Sequence, residues 1–107
     1  MEVARVAEAK KGQAIMILEV GQITTMADYF VLASADNRVQ LRALADETAK
    51  RMRERGVRVR GREGYDDSGW ILMDLGDVMV HYFLQEKREL YSLERLWGDA
   101  ARVEFTA

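Results

Sequence analysis

The chain has 107 residues, a net charge of −2 and no cysteine, with about half of its residues apolar. That is enough apolar material for one core and too little chain for two, so residues 1–107 are read as one domain. Disulfides and cysteine-held zinc or iron–sulfur centres are excluded, and one histidine leaves no His cluster for a metal.

The start of the chain lacks a basic, then apolar leader, and no run approaches the roughly 18 apolar residues of a membrane helix, so a cytoplasmic protein with no membrane contact is expected. The charge is divided unevenly. Residues 1–62 carry 12 Lys/Arg against 8 Asp/Glu, and residues 63–107 carry 4 against 10. An acidic C-terminal half argues against phosphate binding there and suits a basic protein partner.

In chain order, residues 2 to about 11 have helical spacing at Val3, Val6, Ala7 and Lys10, with Glu2 at the positive end of the helix dipole and Lys10-Lys11-Gly12 at its stop. Residues 14–20 and 29–34 are short apolar runs, each suited to a buried strand. Asn37 followed by Gln40 resembles a capping box, and Leu41, Leu44, Ala45, Thr48 and Met52 then form one stripe of a helix over 38–55 that Gly56 ends. Val57, Val59 and Gly61 alternate with Arg58, Arg60 and Arg62, which predicts a strand with one wet face. Residues 63–68 are a polar link. Short helices interleaved with strands give an α/β domain, a mixed five-stranded sheet flanked by helices.

The most informative segment follows. Two apolar runs meet at Gly76-Asp77, a pair suited to a two-residue hairpin turn. Counting outward pairs Leu75 with Val78, Asp74 with Met79, Leu72 with His81 and Trp70 with Phe83. One face then holds Trp70, Leu72, Asp74, Met79, His81 and Phe83, and the other is ordinary core. Asp74 is diagonal to His81, within reach of a side-chain hydrogen bond. The mixed face reads either as core with a satisfied histidine or as a docking patch with Trp70 as anchor. No nucleophile accompanies the Asp–His pair, and no phosphate-cradling glycine loop is present. Adjacent carboxylates such as Asp66-Asp67 suit turns better than a metal cage. The arginine run from Arg51 to Arg62 reads first as a solvated face and second as a contact for RNA.

Several blocks carry a family resemblance. Ala27-Asp28-Tyr29-Phe30-Val31-Leu32-Ala33-Ser34, Arg38 with Gln40 to Glu47, and Glu63-Gly64-Tyr65 agree in order and spacing. So do residues 70–81, Phe83, and Glu86, Arg88, Tyr91, Leu93, Glu94, Leu96 and Trp97. Over residues 8–97 the chain resembles the ribosomal silencing factor (RsfS/Iojap) family, with 98–107 left as a tail outside the match. The resemblance implies a nucleotidyltransferase-like fold without catalysis or cofactor, homodimeric when free. It also implies binding to the L-fourteen protein of the large ribosomal subunit, which blocks the small subunit and represses translation when nutrients are scarce. Trp70, Leu72, Asp74, Asp77, His81, Tyr91, Glu94 and Trp97 are the expected partner-binding residues, with peripheral ribosomal RNA contact through the arginine run. Ser34-Ala35-Asp36 lacks the Gly-Ser and paired carboxylates of nucleotidyltransferases, which weakens the rival reading of a divergent enzyme. An RNA-binding adaptor is the other rival. Residues 102–105 read as an edge strand or a loose tail.

Overall fold

The computed structural model describes residues 2–64 and 69–86, and the backbone of 101–103. Helix α1 (Glu2–Ala9) is followed by strands β1 (Gln13–Glu19) and β2 (Tyr29–Ala35) and helix α2 (Arg38–Glu54). Strands β3 (Gly61–Glu63), β4 (Trp70–Asp74), β5 (Val78–Leu84) and β6 (Ala101–Val103) complete the order. One sheet contains them all in the order β3-β4-β5-β2-β1-β6. β2 and β5 pair in parallel and the other pairs are antiparallel, so the expected mixed sheet is present. A sixth, edge strand is added where residues 102–105 left two readings open: β6 pairs with β1 from Ile17↔Val103 to Glu19↔Ala101.

The central strands are apolar on both sides because both sides are covered. One layer joins Val3, Ala4 and Ala7 of α1 and Leu41, Leu44 and Met52 of α2 to Val31, Ala33, Ile71, Met73, Val80 and Tyr82 of the sheet. On the reverse side Leu18, Val20, Ala27, Phe30, Leu32, Met79 and Phe83 form a second layer, against which Met16, Trp70 and Leu72 pack. Among the described residues the helix-facing layer contains one polar device. Thr48 Oγ1 donates to the Leu44 carbonyl at 2.8 Å and lies 2.6 Å from the Tyr82 hydroxyl. Since threonine has one proton and gives it to Leu44, the tyrosine donates to Thr48. Burial raises the Tyr82 phenol to about 12.

Helix α2 follows its sequence signals closely. Asn37 is the N-cap, its Oδ1 accepting from the Gln40 N–H at 2.8 Å. The return bond of the expected capping box is displaced by one residue, since Gln40 Oε1 accepts from the Asp36 N–H at 2.7 Å. Gln40 Nε2 also donates to the Lys11 carbonyl at 2.8 Å, fastening the start of α2 to the end of α1. At the far end Gly56 takes φ +76°, its N–H reaching the Arg53 carbonyl while the Val57 N–H reaches that of Met52. This is the Schellman stop, and it corrects the expected third strand. Val57 belongs to the helix terminus, so pairing begins only with Arg60 N–H to the Asp74 carbonyl at 2.7 Å, and β3 lies at 61–63.

Two further departures from sequence expectation are backbone devices built without glycine. α1 ends in the same stop, but the left-handed position is Lys11 (φ 62°) and Gly12 follows it. In β1, Ala14 (φ 49°) sits in a bulge between Gln13 and Met16, where two residues oppose one of β2.

Candidate docking face

The β4–β5 hairpin has the register counted from its turn. Trp70 pairs with Phe83, Leu72 with His81 and Asp74 with Met79. Leu75 N–H donates to the Val78 carbonyl at 2.9 Å, closing a two-residue loop. Gly76 alone in that loop has positive φ (92°), which suits a type II′ turn and the right-handed twist of the strands. Asp74 Oδ1 accepts from the Gly76 N–H at 2.8 Å, locking the turn from the strand side. The Asp77 carbonyl accepts from the N–H groups of Asp28 and Tyr29 at 2.8 and 3.1 Å, tying the turn to the segment that enters β2. A side chain at position 76 would meet the Arg60 guanidinium at 3.3 Å.

The hydrogen bond that the register puts within reach of Asp74 and His81 is not formed, and the Asp74 carboxylate instead accepts from Gly76. His81 is only 5 % exposed and lies beneath the surface of this face. Neither of its ring nitrogens has a hydrogen-bond partner among the described residues. Its surroundings are aromatic: Phe30 meets it edge-on at 4.9 Å, and Trp70 and Phe83 stack near it at 6.0 and 6.3 Å. Trp70 in turn stacks on Phe83 at 5.5 Å. Burial among these rings holds the imidazole at about 4, so it is neutral at physiological pH.

Above this aromatic layer the accessible groups are Trp70, Leu72 and Asp74, half-buried, and Asp77, exposed at the turn. β3 adds a residue that the sequence reading placed in a link. Glu63 is the cross-strand partner of Leu72, so it shares this face and is exposed. The signal that could have found it was the length of the Schellman stop, which shifts the strand C-terminal to the valines. The face therefore combines two apolar side chains with three carboxylates. Tyr91, Glu94 and Trp97 lie outside the described residues. No group of three His, Asp or Glu side chains among the described residues could hold a metal ion.

The arginine run divides into engaged and outward-facing members. Arg62 pairs with Asp46 at 2.8 Å on the helix side of the sheet. Arg55 and Arg51 pair with Glu2 at 3.4 and 4.0 Å. Arg53 and Arg58 line a shallow cleft with Val57 and Val59.

Among the described residues the His81 imidazole is buried without a hydrogen-bond partner and the Asp74 carboxylate is committed to the turn, so these two do not form an acid–base pair. The face can present a rigid apolar and acidic plate. Among the described residues no helix is long and apolar enough to cross a membrane.

The family model described as "Ribosomal silencing factor during starvation" matches residues 1–107. The chain is 40 % identical over 95 residues to a ribosomal silencing factor of Halalkalibacterium halodurans, covering 89 % of this chain and 81 % of that one. It is 39 % identical over 97 residues to the Bacillus subtilis protein of the same name, covering 91 % and 82 %. A crystal structure of a Chromobacterium violaceum protein superposes with a TM-score of 0.86 at 33 % identity, covering 99 % of this chain and 88 % of that one.

Proposed function

The chain belongs to the ribosomal silencing factor family, and we propose that it binds the large ribosomal subunit at its L-fourteen protein and excludes the small subunit by occupying the joining surface. Translation is thereby repressed when nutrients are limiting. The protein acts without catalysis or cofactor, in the cytoplasm, and is a homodimer when free. The observation that supports this reading is the β3–β4–β5 face, where Trp70 and Leu72 share one side of the sheet with Glu63 and Asp74, and Asp77 is exposed at the adjoining turn.

Ribosomal proteins are basic, so three carboxylates around two apolar anchors provide the complementary charge and the desolvated centre that a specific interface needs. A standard interface covers about 800 Å² on each partner. A domain with principal extents of 34 × 33 × 26 Å can supply that from one sheet face. Because the face is fixed by a two-residue turn and two layers of core, little ordering entropy is lost on docking. Blocking needs no movement, only volume. Arg53 and Arg58, on the helix side of the same end of the sheet, suit a peripheral contact to ribosomal RNA.

The test is co-sedimentation of the Glu63→Lys/Asp77→Lys variant with purified large subunits. Both side chains are exposed, so the fold is expected to persist while binding weakens by roughly two orders of magnitude. Binding equal to that of the wild type would reject this face.

A further inference from the structure

The loop between β1 and β2 leaves two large apolar side chains in water, Ile23 at 44 % exposure and Met26 at 59 %. Neither belongs to either apolar layer of the domain. The other large hydrophobic side chains exposed among the described residues, Val39 and Val57, stand singly at opposite ends of α2. Scattered exposed hydrophobes are ordinary, but a neighbouring pair on a constrained loop is not.

The constraint is extensive. The Asp28 carbonyl accepts from the N–H groups of Val20 and Gly21 at 2.8 and 3.1 Å, closing the loop at its base. The Val20 carbonyl accepts from Ile23 and Thr24, both at 3.0 Å, and Thr24 Oγ1 accepts from the Met26 N–H at 3.1 Å. Val20 and Ala27 are buried in the layer beneath Trp70 and Leu72, so the loop is seated on the same side of the sheet as the docking face. Through Asp28 N–H and the Asp77 carbonyl it is bonded directly to the hairpin turn. Folding therefore holds Ile23 and Met26 exposed on a loop that ends at the exposed Asp28 and is bonded to the turn carrying the exposed Asp77.

We infer that this loop is a second anchor of the docking face: Ile23 and Met26 enter an apolar spot on the basic protein surface that the hairpin carboxylates attract. The inference rests on the docking reading above. Charge selects the occupant. The sequence has no Lys or Arg between residues 12 and 37 or between 63 and 86, so loop and hairpin together present carboxylates to an incoming surface, with Arg60 beside the turn as the nearby cation. A second copy docking through the same face would bring like charges together, and an RNA backbone would be repelled. A cationic protein surface is the fitting partner.

Two measurements test it. The chain has no cysteine, so Met26→Cys carries a benzophenone label at a single position, with Val39→Cys (81 % exposed, at the opposite end of the strands) as control. Irradiated with purified large subunits, the position-26 probe is expected to attach to a ribosomal protein several times more efficiently than the control. The Ile23→Ser/Met26→Ser variant is expected to bind large subunits roughly tenfold more weakly with an unchanged melting temperature. Attachment only to RNA or to a second copy, or no excess over position 39, overturns the inference. If Glu63→Lys/Asp77→Lys releases the subunit while Ile23→Ser/Met26→Ser binds like the wild type, the loop is no anchor and the docking face stands. If neither variant weakens binding, both ideas fall.

Discussion

Replacing His81 with phenylalanine isolates the energetics of the aromatic layer. In the folded chain the imidazole is held at about 4 against an ordinary 6.5, by burial among Phe30, Trp70 and Phe83. Between those pH values the unfolded chain binds a proton that the folded chain refuses, so stability falls as pH drops from 6.5 towards 4 and is unaffected above that window. The full difference amounts to about 3 kcal/mol, since each pH unit of separation is worth about 1.4 kcal/mol. At pH 7, removing two partnerless ring nitrogens gains about 1 kcal/mol and fitting a larger ring costs about the same, so His81→Phe is expected to match the wild type there. Denaturant unfolding of both proteins from pH 4 to 8 gives the difference directly, because the carboxylates common to both cancel. The variant should gain about 2–3 kcal/mol over the wild type between pH 7 and pH 4. Parallel stability curves would refute the buried, neutral imidazole.

Other outcomes follow from individual contacts. Lys11→Gly relieves a left-handed residue at the end of α1 and should raise stability by about 1 kcal/mol, read by thermal melting; a loss would contradict the strain. Gly76→Ala places a methyl group against the Arg60 guanidinium at a φ of 92°, and should cost about 2 kcal/mol by denaturant unfolding. Thr48→Val leaves the buried Tyr82 hydroxyl without its acceptor and should cost about 2 kcal/mol, whereas Tyr82→Phe, which leaves Thr48 bonded to Leu44, should cost about 1 kcal/mol. Equal losses in those two variants would reverse the donor assignment.

The hairpin was legible because Gly76-Asp77 sets a count that fixes every cross-strand pair to Trp70–Phe83. Helix α2 was legible because Asn37, the apolar stripe and Gly56 each signal independently. The third strand was misplaced by four residues because the valine alternation is also what a Schellman stop and its exit look like, and only the hydrogen bond from Val57 to Met52 separates them. The His81 partnership failed for a related reason. Register shows which side chains are close, but not that a nearer turn amide will claim the Asp74 oxygen. The parallel pairing of β2 with β5 is a contact across the whole of α2, β3 and β4, invisible to local pattern. The loop anchors Ile23 and Met26 have no periodicity to reveal them, and their significance comes from what the backbone around them is bonded to. The left-handed turns at Lys11 and Ala14 were hidden because the residues there are not glycine.

Subunit joining followed by light scattering measures what the proposed blockade does. Purified large subunits are saturated with the protein, confirmed as bound by sedimentation, and then mixed with small subunits. Formation of the joined particle should fall in proportion to occupancy and stay normal when the Glu63→Lys/Asp77→Lys variant replaces the wild type at the same concentration. Normal joining by large subunits that visibly carry the protein would show that it binds without standing in the way.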